Sequence, residues 1–244
     1  MERLISTHGQ RSGGLGNTAR LRGGRKAEDV RTRIILAAEE LFAAQGIDGV
    51  SLRQIATAAG HGNNNAVQYH FASKQGLVHE IFHHRIGQFE EQRAAMLEDA
   101  EKEGLLSDAP TLAKMLLFPH LTITNERGGH PYAGFSCHYL IRYRPFTMPH
   151  PGFDERERFP FLGRVLDLIE ARASYVPASV MRSRIGLVVL MFLNMLVRFD
   201  NTPETGRTDV SFDFLVEDTL LAATHCLFRP VERHSGSPLF ALPS

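Results

Sequence analysis

Apolar residues recur along this chain at spacings of three and four, the period of helices packed on one side. From Ala27 onward, Ile34, Ile35, Ala38, Leu41 and Phe42 mark one such face, and Gly46 is placed to stop that helix. Ser51 then precedes Leu52, Ile55, Ala56 and Ala59, with Gln54 three residues beyond it, which is the pattern of a capping box. Gly60, His61 and Gly62 form a small-residue turn. A second short helix follows at residues 63–69, and Ser73 is placed to cap the next one. After Lys74 the period predicts helices at roughly 74–103, 109–126, 131–144, 155–173, 179–199 and 210–228. Pro110, Pro131, Pro145, Pro151, Pro177 and Pro203 fall at their starts or connections. No repeat points to a solenoid, and no βαβ spacing points to a dinucleotide fold.

The 244 residues suffice for one large domain, or a small one plus a larger one. Net charge is zero, but its placement is uneven: Arg3, Arg11, Arg20, Arg22, Arg25 and Lys26 precede Ala27 against Glu2 alone. A local basic footprint, not the total, decides whether a chain holds phosphates. The organisation expected is a flexible basic arm at 1–26, a helix-turn-helix unit at 27–75, a larger helical domain at 76–230 and a flexible tail at 231–244. Cys137 and Cys226 belong to no metal, redox or disulfide spacing. The N-terminus lacks the apolar stretch of a secretory signal, and the apolar run from Leu187 to Leu196 reads as too short for a membrane span. The expectation is a cytoplasmic protein with no membrane partner.

Two short helices joined by a small-residue turn can cross so that the second enters a DNA major groove. Leu41, Phe42, Leu52, Ile55, Val67 and Phe71 offer the apolar material to lock such a head. Asn63, Asn64, Asn65, Gln68 and Tyr69 are unusually polar for a helix that only supports others, and Asn and Gln can pair with two groups on adenine. Thr32, Arg33, Ser51, Arg53, His70, Ser73 and Lys74 are the candidates for phosphate contact, aided by helix N-terminal amides. Ser51 and Ser73 also read simply as caps, and the Asn run also reads as a turn.

The segment TRIILAAEELFAAQGIDGVSLRQIATAAG, followed by AVQYHFASKQGL, resembles the TetR family of transcription regulators over residues 32–77. The resemblance implies an all-α chain: an N-terminal three-helix DNA-binding head with a helix-turn-helix, then a larger helical dimerisation and ligand-binding domain. It implies a homodimer on a near-palindromic operator of double-stranded DNA, acting as a repressor that a small apolar or amphipathic effector releases. Carried over residue by residue, Thr32 and Arg33 resemble the first-helix backbone contacts. Asn64, Asn65, Ala66 and Gln68 occupy the reading helix, and His70 and Lys74 its phosphate-anchoring end. The stretch GHGNNNAVQ departs in length by one residue, and Gln68 stands where the family often has an aromatic residue. The alternative reading is a helical protein-interaction module, or a partner-dependent regulator without autonomous operator recognition.

The larger domain carries less information. Residues 185–199 are apolar nearly all round, and residues 210–228 offer a broad apolar face; these two helices are the candidates for a shared four-helix dimer contact. Candidate effector contacts are Phe82, Phe89, Met115, Phe118, Phe135, His138, Tyr139, Arg142, Phe161 and Asn194, with Leu166 and His120 beside them; ordinary core packing competes for each. Asn194 interrupts a strongly apolar helix, so it is open to a ligand, a dimer partner or a local bond. His79 and His83 share a helical face, and packing is expected of them. No metal and no cofactor is expected. Ser136 in GFSCH lacks a nucleophile elbow, and Asp154, Glu155 and Glu157 read as solvating or capping groups, so no enzyme is expected.

Overall fold

A computed structural model describes residues 15–62, 65–143, 150–203 and 210–231, with side chains from Asp29 onward except Phe153. Every regular element among the described residues is helical: α1 Leu15–Gly49, α2 Leu52–Ala58, α3 Asn65–Phe71, α4 Lys74–Glu103, α5 Ala109–Leu117, a 3-10 turn Phe118–Thr122, α6 Pro131–Arg142, α7 Pro151–Asp154, α8 Pro160–Arg172, α9 Ala178–Asn201 and α10 Phe212–Phe228.

The head is built on the second half of α1, where Ile34, Ile35, Ala38 and Phe42 are buried together. Gly46, at φ 74°, breaks the helical path, so the last turn of α1 is offset by a kink at the residue expected to stop it. Ser51 and Gln54 form the reciprocal capping box at the start of α2. At its end, His61 N–H donates to the Ala56 carbonyl at 2.8 Å and Gly60 N–H to the Thr57 carbonyl at 3.0 Å. With Gly60 left-handed at φ 80°, this is a Schellman closure, and it turns the chain toward α3.

α3 joins α4 through a tight corner. Ala72 takes a positive φ of 58°, and the Ser73 amide donates to the Phe71 carbonyl at 2.6 Å. Ser73 Oγ then accepts from the Gly76 amide at 3.0 Å, capping α4. A Cβ on Gly76 would sit 2.3 Å from the Phe71 carbonyl oxygen, so glycine is what lets the two helices approach.

The larger domain wraps α4 with α5 to α10. α6 packs on α1 and on α9, α9 on α10, and α5 on α8 and α10. Gly134 of α6 lies directly on Ala43 of α1, where an added Cβ would meet the Ala43 Cβ at 3.0 Å, so the head is seated on the core.

Four expectations shift. The helix expected from Ala27 begins at Leu15, inside the segment read as an arm. The helix expected to reach 126 leaves α geometry at Leu117, since Pro119 supplies no N–H to continue the ladder. The helix expected from 155 starts at Pro160, whose fixed φ suits a first position. α9, at 24 residues, is longer than the apolar run suggested, and by length and composition it is long enough to cross a membrane. A core helix passes the same test, and Ile185, Val188, Phe192 and Leu196 are buried.

Candidate nucleic-acid interface and effector cavity

α3 divides its residues by face. Val67 and Phe71 are buried, whereas Asn65, Gln68 and Tyr69 are exposed, Tyr69 at 86%. A seven-residue helix is too short to persist alone, so its inner anchors hold its polar face outward. Asn63 and Asn64 lie outside the described residues. Ala66 and His70 are half-buried, and the His70 ring stands edge-on to Tyr69 at 5.1 Å. Arg53 is exposed at the start of α2. Ser51 and Ser73 both serve as caps, which leaves the phosphate role a matter of their remaining hydrogen-bonding capacity.

Thr32 is half-buried. Arg33 is exposed and faces Asp29 one turn earlier at 3.8 Å, a pairing that water weakens. Lys74 differs from the sequence picture. Its Nζ donates to the Ile47 carbonyl at 3.0 Å, closing the kinked end of α1, so the ammonium has a structural tie and two further N–H groups.

Several determinants of the head were not singled out from sequence. Arg31 pairs with Glu80 of α4 and lies 5.5 Å over the Phe71 ring, joining α1, α3 and α4. Arg85 of α4 binds both carboxylate oxygens of Glu39 on α1, at 2.7 and 2.6 Å, with both residues buried. Burial raises the Glu39 pKa, while the hydrogen bond and charge of Arg85 oppose that rise. A signal existed: Arg85 and Arg93 flank Phe89 at intervals of four, placing charge on the apolar stripe of α4.

A cavity of about 50 Å³ lies within the larger domain, lined by Phe89 and Arg93 of α4, His120, Tyr132, Leu166 and Leu193, among others. Arg93 is 2% exposed. Its Nη1 stands 3.5 Å from Glu90, and its Nε and Nη1 make no hydrogen bond. Burial lowers its pKa to about 10, which still leaves it charged at neutral pH. Burial, and then the Arg93 charge, lower His120 to about 4, so this ring is neutral; its Nδ1 lies 3.0 Å from the Leu117 carbonyl. Burial raises the Tyr132 phenol, which therefore keeps its proton. The site is a largely apolar space that also presents the Arg93 cation, the neutral rings of His120 and Tyr132, His150 and Ser136.

Of the effector contacts expected from sequence, Phe89, with Leu166 and His120 named beside it, lines this cavity, and the other nine do not. Phe82, Met115 and Phe135 are buried in the core beside it, because aromatic and aliphatic positions on inner faces mostly pack one another. Phe118 stacks on Phe192 at 6.5 Å. His138 and Arg142 instead line a depression against the kink of α1, and Tyr139 lines another with Lys74. Phe161 is 40% exposed, and its amide donates to Glu90 at 2.8 Å. Asn194 is exposed and lines none of these cavities among the described residues; it follows Leu187 and Met191 at spacings of seven and three on the outer side of α9. Leu187 and Met191 are also exposed, as are Phe214 and Leu221 on the neighbouring α10, which leaves an apolar outer face across the two helices.

Residues 34–81 match the family described as bacterial regulatory proteins, tetR family. Among solved structures, the chain is similar in fold to a tetR family transcription regulator from Shewanella sp. PV-4, with 20% identity, 82% of this chain and 96% of that chain covered, and a TM-score of 0.51. It also matches the TetR family regulator PfmR from Thermus thermophilus at 18% identity, 82% and 96% coverage and a TM-score of 0.45. AibR, solved in complex with isovaleryl coenzyme A and operator DNA, matches at 17% identity, 83% and 100% coverage and a TM-score of 0.44. A comparison with curated proteins finds no match.

Proposed function

Since the chain belongs to the TetR family of transcription regulators, whose N-terminal domain it carries at residues 34–81, we propose that it is a homodimeric repressor of a near-palindromic operator, released by a small amphipathic effector. The observation that carries the DNA-reading part is α3, with Val67 and Phe71 anchored inward and Asn65, Gln68 and Tyr69 presented outward. Amide side chains there can read base edges, while Arg53, His70 and Lys74 lie beside them in sequence to hold phosphates. Such a regulator works where the DNA is, in the cytoplasm.

The apolar outer face of α9 and α10 supports pairing of two subunits through a four-helix contact, with Asn194 at that contact. A twofold dimer sets two heads one DNA turn apart. The cavity supports an effector with an apolar body and an anionic or acceptor head for Arg93. At about 50 Å³ it is far below the several hundred Å³ that small-molecule sites usually occupy, so binding requires α4 and its neighbours to move. α4 carries Phe89 and Arg93 and begins where the reading helix ends, so that movement displaces the heads. An effector releases DNA only as far as it favours the displaced state.

Selection and sequencing of random duplexes bound by the full-length protein tests the reading. An enriched inverted motif is expected. A folded dimer that enriches no motif overturns autonomous operator recognition and favours a head that recruits protein.

A further inference from the structure

We propose that His79, His83 and Glu155 form a binding site for one divalent transition-metal ion of the zinc class. The two imidazoles share a face of α4, with ring centroids 4.2 Å apart. Their Nε2 atoms converge on one carboxylate: His79 lies 2.9 Å from Oε1 of Glu155, and His83 lies 2.9 Å from Oε2. One donor atom from each of the three residues falls within 4.8 Å of the others. Ligands on a tetrahedral zinc ion stand about 3.3 Å apart, from bonds of about 2.0–2.1 Å, so an ion enters this cluster with small side-chain adjustments. Two nitrogens and a carboxylate suit zinc, cobalt or nickel better than calcium or magnesium, and they leave room for water.

The surroundings orient the ligands. His83 is mostly buried, and its Nδ1 has no hydrogen bond but stands 3.7 Å from Glu80 Oε1. A carboxylate behind the non-coordinating nitrogen is the usual partner that fixes a metal-binding imidazole. Residues 79–83, HEIFH, have the order H-E-x-x-H found in zinc proteases. Here Glu80 lies behind the His83 ring and pairs with Arg31, so it orients the ligand and is not placed as a base. Sequence spacing alone makes the histidine pair read as packing; Glu155, 72 residues beyond His83, is brought in by the fold.

The test is titration of metal-stripped full-length protein with Co²⁺, followed by its visible absorption. One saturable equivalent is expected, displaced by Zn²⁺. His79→Gln and Glu155→Gln are each expected to bind about tenfold more weakly or worse, with unchanged melting in the absence of metal. No saturable binding by the wild type, or equal binding by both variants, overturns the site. If a variant melts early, long-range ¹H–¹⁵N spectra of the wild type decide: zinc must shift the Nε2 signals of two histidines and leave their Nδ1 signals protonated or nearly so. The absence of such a pair also overturns it.

Discussion

Arg85 closes on Glu39 at both carboxylate oxygens, tying the helix that leaves the reading head to the helix that supports it. A pair like this is costly to break and cheap to replace, because a lone buried charge loses its hydration without compensation. Arg85→Met alone is expected to cost about 3–5 kcal/mol of stability. The double variant Glu39→Leu with Arg85→Met is expected to recover most of that loss. Urea unfolding of the three proteins checks it, and equal losses in the single and double variants would show that the pair contributes nothing through its mutual contact.

Gly76→Ala is expected to separate the reading helix from α4, since the new Cβ meets the Phe71 carbonyl oxygen at 2.3 Å. Alanine gains about 1 kcal/mol of helix propensity over glycine, yet overpacking costs about 1–3 kcal/mol. The larger domain lies away from the clash, so its melting should change little while DNA affinity falls about tenfold or more. Fluorescence anisotropy with a selected operator, alongside calorimetry, measures both. Unchanged affinity would mean that the corner adapts without moving α3.

The head was legible because its signals are local. The Ser51–Gln54 capping box and the Gly46 break stand within a few residues of the elements they end, and α4 has the predicted bounds of Lys74–Glu103. The cavity was not legible, because Phe82, Met115 and Phe135 carry the same apolar signal as Phe89 and only tertiary packing separates them. Asn194 stayed open between a ligand, a dimer partner and a local bond for a related reason. A polar residue in an apolar helix marks an unusual environment, but a helix whose outer face also stays apolar leaves the direction open. Glu155 joins two histidines of another helix only once the chain has folded.

His120 makes stability sensitive to acid. Its ordinary pKa of 6.5 falls to about 4 through burial and the nearby Arg93 charge. Between those values the unfolded chain binds the proton and the folded chain does not, so stability falls as the pH drops from 6.5 through 4. The full shift corresponds to about 3 kcal/mol. His120→Phe should lack this contribution, so the wild type should lose about that much more than the variant over the same window. Urea titrations across that range compare the two slopes, and parallel slopes would reject the buried neutral ring.

Leu187→Arg places a charge on the exposed apolar face of α9, where Leu187 itself is 59% exposed. Within one subunit the change should leave helix content and melting nearly intact. Across a dimer contact it should shift the protein toward monomer in sedimentation velocity and weaken binding to the inverted site, because two heads no longer arrive together. A dimer as tight as the wild type would move the subunit contact elsewhere.

The cavity beside Arg93 is small, at about 50 Å³. A molecule that enters it must first meet the free energy of prising the surrounding helices apart, and the apparent affinity falls by the fraction of time they stand open. If an effector binds there, the concentration needed is therefore set largely by how tightly the apolar lining packs. Trimming Leu193 or Leu166 would retune the threshold while leaving selectivity with Arg93. Sensitivity and selectivity are separately adjustable, so the same chemistry can be read at different doses by lineages that differ only in how tightly this core is packed.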